Sequence, residues 1–174
     1  MDGDCRTETQ RHDGAAAGSM GGLAGQKICL AASAGGHLVE LLKVAGPCIG
    51  PGTFAVTTAE MVRDAFAGKV ETYVVGECNR QHPLRVLRVV LRCLGILLRE
   101  RPDVIVSTGA AVGCILCVLG KLLGARVVWL DSITNVYRPS LSGRLVQPFA
   151  DLFLVQWPEL ARGRRRMEYA GAVV

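Results

Sequence analysis

The sequence predicts a doubly wound α/β fold built on a parallel sheet. Three observations carry this. Short β-rich runs alternate with helical stretches along residues 27–174. The runs are near-continuously apolar, as expected of strands covered on both faces. Two of them end in glycine turns that lead into helices, at Ser33-Ala-Gly-Gly-His37 and Ser107-Thr-Gly-Ala-Ala-Val-Gly113.

The elements follow in order. Residues 1–26 are polar, charged and rich in Gly and Ala, without the basic start, apolar stretch and cleavage site of a signal peptide. They read as a disordered leader outside the fold. The domain proper is expected over 27–174. Its first strand, Lys27–Ser33, turns through the paired glycines into an amphipathic helix at His37–Ala45. The next strands are Thr53–Thr57 and Glu71–Val75, separated by a helix at Ala59–Ala67. A long helix, Pro83–Glu100, leads to the strand Asp103–Ser107 and, past the second glycine turn, to a helix at Ala111–Leu123. The strand Ala125–Leu130, a helix at Ser142–Phe149, the strand Asp151–Gln156, a short helical piece at Pro158–Arg162 and a last strand at Glu168–Gly171 complete the pattern. No internal repeat and no second domain is visible. In such sheets ligands bind at the carboxyl ends of the strands, where both glycine turns fall.

Composition narrows the function. The chain has 174 residues, half of them apolar, enough for one full core. The net charge of +5 is modest, and the arginines gather at 85–101 and 162–166. Aromatic residues are few and none is interleaved with those arginines, so a nucleic-acid platform is not expected. The seven cysteines, an odd number in apolar surroundings, indicate reduced thiols in a cytosol. Cys114-Ile-Leu-Cys117 has the spacing of redox and zinc sites, but no second pair or His cluster accompanies it. Packing thiols, and no metal, are the expectation. The uncharged run 104–120 approaches membrane-spanning length, yet Ser107-Thr-Gly109 interrupts it as a strand, a turn and a helix would. A cytoplasmic protein without a membrane-spanning helix, held peripherally at a membrane surface, is expected.

The helix at 83–100 carries Arg85, Arg88, Arg92 and Arg99 within about 60° of one another on a helical wheel. Most of the remaining circumference is Val, Leu, Ile and Cys. Such a stripe fits an anionic bilayer surface, and it also fits a core helix with one solvated face.

Candidate chemistry gathers at the strand ends. His37 suits a general base, a donor to a phosphate, or simply the opening residue of a helix. Glu40, one turn on, is placed to orient the imidazole or bind a sugar hydroxyl, or is an exposed helix glutamate. Ser33, Gly35 and Gly36 in the first turn, and Ser107, Thr108 and Gly109 in the second, would admit a phosphate to the backbone, or serve only as tight connections. Asp131, Ser132 and Asn135 would line the same edge, with helix capping as the alternative for Asp131. Trp157 suits stacking on a sugar or a partner, and equally a large core residue. The Gly-x-Gly-x-x-Gly fingerprint of a dinucleotide site is absent.

Ser33-Ala-Gly-Gly-His37, Ser107-Thr-Gly-Ala-Ala-Val-Gly113, Gly124-Ala-Arg-Val-Val-Trp-Leu-Asp-Ser132, Asp151-Leu-Phe-Leu-Val-Gln-Trp-Pro-Glu159 and Tyr169-Ala-Gly171 together resemble PssD-type polysaccharide biosynthesis proteins. These are bacterial relatives of the membrane-anchor subunit of the eukaryotic UDP-N-acetylglucosamine transferase that adds the second sugar of the dolichol-linked oligosaccharide. The family is similar to the N-terminal half of a GT-B glycosyltransferase such as MurG, and the resemblance covers about residues 27–174. It implies a Rossmann-like acceptor-binding and membrane-recruiting domain. Its substrates would be a UDP-sugar and a polyprenyl-diphosphate-linked saccharide. His37 would deprotonate the acceptor hydroxyl or hold its diphosphate, with Ser107 and Thr108 supplying donors. The other half would be a separate, PssE-like catalytic subunit, docked by the C-terminal tail with Trp157, Tyr169, Val173 and Val174. Neither a metal nor another cofactor is implied. The rival reading is a non-catalytic scaffold that recruits and activates a partner transferase at the membrane.

Overall fold

The computed structural model describes residues 25–60, 66, 70–78, 82–162, 166–169 and 171–173. They form β1 (Ile28–Ala32), α1 (Gly36–Ala45), a 3-10 turn (Gly46–Cys48), β2 (Thr53–Thr57), β3 (Glu71–Val74) and α2 (Pro83–Glu100). Then come β4 (Val104–Ser107), α3 (Ala110–Leu122), β5 (Arg126–Leu130), α4 (Leu141–Val146), β6 (Leu152–Val155), α5 (Pro158–Ala161) and β7 (Glu168–Tyr169).

The seven strands pair in parallel in the order β3-β2-β1-β4-β5-β6-β7. The doubly wound reading therefore holds, and its cause is that successive strand residues point to opposite faces of the sheet and both faces are buried. Cys29, Ala31, Ile105, Val127, Trp129 and Phe153 face a large core completed by Val89, Cys93 and Leu97 of α2, Val112 and Leu116 of α3 and Val146 of α4. Ile28, Leu30, Ala32, Val104 and Val106 face the other side, against Leu38, Leu41 and Ala45 of α1. Toward the β6 edge this second face is thinner, and Leu152 and Leu154 are only half-buried there.

α3 lies close on the sheet because Gly113 and Gly120 turn toward it. A Cβ on Gly113 would collide with Ser107 Oγ, and one on Gly120 with Ile105 Cδ1. The described cysteines are free and serve as packing groups. Cys29, Cys93 and Cys117 are fully enclosed, and burial pushes the Cys93 thiol up to about 12.

Several boundaries shift. α4 starts one residue early and stops at Val146, because Ser140 caps it by accepting from the Gly143 N–H (2.9 Å), and residues 147–149 form a turn. The last strand ends at Tyr169 rather than Gly171. Most of the helix expected at 59–67, residues 1–24 of the leader, and 163–165 of the basic run lie outside the described residues.

The strand order fixes where the site lies. The chain leaves β1 toward β2 and β3, then crosses back to place β4 on the other side of β1. The crevice outside the carboxyl ends of β1 and β4 is thus the topological switch point.

Candidate functional site

Both glycine turns open onto that crevice. Gly35 (φ 96°) precedes α1 and Gly109 (φ 139°) precedes α3, in backbone conformations that L side chains avoid. Ala110 follows at φ 64°, a strained value for a residue with a Cβ, and such outliers gather at functional sites. Neither helix has a side-chain cap at its start. Their first N–H groups and the positive ends of both dipoles are therefore left at one place, as an anion requires. Gly35 and Gly36 are exposed, and a Cβ on either would meet nothing within 4 Å.

His37 stands between the two turns. Its ring lies against Gly109, so closely that a Cβ there would sit 2.6 Å from Cε1 and 2.7 Å from Nδ1. Thr108 Oγ1 donates to the His37 carbonyl at 2.5 Å and ties the second turn to α1. The imidazole is one-third exposed (33 %), while the Glu40 carboxylate beneath it is buried. Glu40 Oε1 accepts from Ser132 Oγ (3.2 Å), the Ile133 N–H (3.1 Å) and Gln156 Nε2 (3.4 Å). Oε2 faces His37 Nδ1 at 3.8 Å, and neither atom has a hydrogen-bond partner among the described residues. A closure of about 1 Å would make Nδ1–H a donor to the carboxylate and leave Nε2 as the free base. Glu40 is thus no exposed helix glutamate.

Other expected residues play structural parts. Ser107 and Thr108 are fully enclosed. The Ser107 hydroxyl is spent within its turn, accepting from the Gly109 N–H at 3.3 Å, and Thr108 is engaged with His37. The expectation that these two hydroxyls supply donors to a ligand is corrected accordingly, since both are enclosed and engaged within the protein. Asp131 is also buried, and its carboxylate accepts from the Ser140 N–H (2.9 Å), Ser140 Oγ (2.6 Å) and Trp129 Nε1 (3.3 Å). It anchors the start of α4, the capping alternative. Ser132 reaches the site only by donating to Glu40. Ser33 is half-buried beside the first turn.

The α2 arginines sit on the exposed side of their helix. Arg92 donates to the Val75 carbonyl (3.3 Å) and Arg99 pairs with Glu100 (3.2 Å). Each arginine of the stripe directly follows an exposed leucine: Leu84, Leu87, Leu91 and Leu98. An apolar row and a basic row thus run side by side, while Val89, Cys93 and Leu97 fill the core. No helix among the described residues is long and apolar enough to cross a membrane. Trp157 packs half-buried against the main core and donates from Nε1 to the Ile133 carbonyl at 2.7 Å. Tyr169 is half-exposed on the edge strand β7, Val173 is half-buried, and Val174 lies outside the described residues.

Sequence reasoning placed Gln156 at the close of a strand but gave it no role. It is 2 % exposed at the end of β6 and bonds Glu40, the Asp131 carbonyl (3.1 Å) and the Val173 N–H (2.8 Å). Its only signal was a polar residue closing the apolar run Leu-Phe-Leu-Val.

Curated relatives include "UDP-N-acetylglucosamine transferase subunit alg14" of Schizosaccharomyces pombe, 44 % identical over 77 residues, which are 41 % of this chain and 37 % of that protein. The subunit of Mus musculus is 33 % identical over 85 residues, 45 % of this chain and 39 % of that one. The matches therefore span well under half the length of those relatives. Among solved structures, Acinetobacter baumannii MurG superposes with a TM-score of 0.67 at 15 % identity, over 82 % of this chain and 44 % of MurG. UDP-N-acetylglucosamine 2-epimerase from Rickettsia bellii does so at 0.61 and 12 % identity, over 77 % of this chain and 39 % of the epimerase. These likenesses show the fold, a Rossmann-like α/β domain that superposes on part of MurG and part of the epimerase. The family model for "Oligosaccharide biosynthesis protein Alg14 like" matches residues 70–173, from β3 through the C-terminal segment. On that match, the chain belongs to the Alg14-like family of oligosaccharide biosynthesis proteins.

Proposed function

We propose that this chain is the acceptor-binding, membrane-recruiting subunit of a two-protein glycosyltransferase. It would act with a PssE-like catalytic chain that holds the UDP-sugar, N-acetylglucosamine being the sugar that the relatives' names carry. The acceptor would be a polyprenyl-diphosphate-linked saccharide. One observation carries this reading: two uncapped helix starts meet at the switch point around an imidazole backed by a buried carboxylate.

The chemistry follows from the charges. The acceptor diphosphate lies at the open N–H groups of α1 and α3, with Gly35 and Gly36 leaving room for its oxygens. His37 Nε2 takes the proton of the acceptor hydroxyl, and Glu40 steadies the imidazolium that forms. The hydroxyl oxygen bonds to the anomeric carbon as the bond from that carbon to UDP breaks, and UDP departs on the partner's side. General-base catalysis of this kind contributes about 10²- to 10⁴-fold.

α2 supports recruitment to the cytoplasmic face of a membrane, with its leucine row entering the interface and its arginines at anionic headgroups. Each arginine near such a surface contributes about 1 kcal/mol. For the partner, the thinly covered face at Leu152 and Leu154 and the nearby Tyr169 and Val173 offer apolar contact.

The test is transfer of labelled sugar from a panel of UDP-sugars onto polyprenyl-diphosphate saccharide. It is run with this chain alone, with the partner chain, and with His37→Ala in the pair. Turnover only with both chains, lost in H37A while partner binding persists, is the expected result. Full turnover in H37A would leave the scaffold reading, and turnover by this chain alone would overturn the two-protein assignment.

A further inference from the structure

We propose that Gln156 is a positioning residue that couples the His37–Glu40 pair to the C-terminal segment 171–173. Whatever engages that segment would then act on the imidazole. The proposal deepens the functional reading above and rests on it for the role of His37, but the coupling itself is a property of this chain.

The connection can be followed atom by atom. The Val173 N–H donates to Gln156 Oε1 at 2.8 Å. The other end of that amide donates to the Asp131 carbonyl at 3.1 Å and to Glu40 Oε1 at 3.4 Å. The far oxygen of the same carboxylate faces His37 Nδ1 at 3.8 Å. Four residues from the tail, the end of β6 and α1 thus form one line, joining positions 116 apart in sequence at the Glu40–Gln156 step.

Two features make this line a coupling rather than a chance contact. First, the buried amide has only one workable orientation. Turned over, its carbonyl would face the Glu40 carboxylate and the Asp131 carbonyl, while its NH2 faced the Val173 N–H, so every contact would become repulsive. Among the described residues the Val173 N–H is the one donor aimed at the amide oxygen, so the tail helps to set which end points at Glu40. Second, the line stops short at the pair. His37 Nδ1 and Glu40 Oε2 are buried, complementary and unpartnered among the described residues, 3.8 Å apart. Unpartnered buried polar atoms are costly, so a small displacement of Glu40 that closes the gap is favoured. Among the described residues the carboxylate is held by donors from three places: Ser132, Ile133 and Gln156. Of these, Gln156 alone is also bonded to a segment near the chain's end.

The test uses the full 174-residue chain with isotope-labelled histidine. The chain has three histidines, His12, His37 and His82, so the imidazole resonances are few. Val173→Pro removes the N–H, whereas Val173→Ala keeps it. The expected result is a displaced His37 signal in V173P, with His82 unmoved as a reporter of the intact fold, and V173A superimposing on the parent. A second variant lacking residues 171–174 removes the donor without introducing proline, and it should displace His37 in the same way. Unchanged His37 signals in both V173P and the truncation would overturn the coupling. So would equal displacement in V173A and V173P, because bulk rather than the N–H would then be responsible. If His37 proves dispensable for sugar transfer while V173P still moves its signal, the coupling stands and only the catalytic assignment falls.

Discussion

A methyl group at position 109 tests the site directly, because Gly109 is where the second turn touches the catalytic candidate. In Gly109→Ala the new Cβ would lie 2.6 Å from His37 Cε1, 2.7 Å from Nδ1 and 3.2 Å from Nε2. Carbon contacts are comfortable at about 3.5–4.0 Å, so the ring must retreat by about 1 Å. It has room to do so, since the imidazole is 33 % exposed. A displacement of that size at a reacting group lowers turnover by about 100-fold, on the order of 2.7 kcal/mol of transition-state stabilisation. The φ of 139° adds roughly 1–3 kcal/mol of backbone strain, which urea unfolding would read separately. The assay is sugar transfer by the two-chain system, with Gly36→Ala beside it. Gly36 has open space around it and should keep its stability, yet its methyl would stand where the proposed acceptor diphosphate would bind, so transfer should fall in G36A as well. A G109A chain that turns over at the parent rate would refute the placement of His37 at the reacting centre.

Three further outcomes follow from packing and charge. Gly113→Ala drives a methyl into the enclosed Ser107 hydroxyl and should destabilise the chain by about 1–3 kcal/mol in urea, whereas unchanged stability would mean that α3 is not held against β4 as described. Replacing Leu87 and Leu91 together by Glu should abolish flotation with anionic vesicles while leaving Tm near the parent value, since both leucines are more than half exposed; retained flotation would move the membrane contact off α2. The third concerns acid. Lys27 and Tyr73 hydrogen-bond Glu100 and hold its carboxyl below the usual range. Burial alone would raise Asp151, but hydrogen bonds from Lys121 and the Val127 N–H outweigh it and lower the value. Carboxyls depressed on folding stabilise above the unfolded value and lose that contribution as pH falls through the folded one. Stability should therefore drop from about pH 5 downward, and Glu100→Gln should flatten that slope; an unaltered slope in E100Q would remove Glu100 from the account.

Much of the molecule was legible because its signals are local. Strand–helix alternation gave every described strand to within a few residues, and β2 and α2 at their observed bounds, since burial on two faces and helical periodicity are written in neighbouring residues. The two glycine turns were readable for the same reason: the φ values at Gly35 and Gly109 leave few alternatives to glycine. The stripe on α2 was visible by spacing, and its leucine partner row lay in the same residues.

The site's inner wiring was not legible. Ser107, Thr108 and Asp131 are polar residues at strand ends, and sequence alone cannot tell a hydroxyl facing a ligand from one turned inward. Close packing of α3 over Ser107 and the anchoring of α4 by Asp131 made that choice. Glu40 finds its partners at Ser132, Ile133 and Gln156, more than 90 positions away, and only the sheet order brings them together. By itself, then, the sequence determined which segments would be strands and helices and where the backbone would turn through glycine at the strand ends. Tertiary structure decided that β4 returns beside β1, and so that the two turns share one crevice. It also decided which polar groups remain free there, because burial and pairing between distant residues follow from packing and leave no local pattern in the chain.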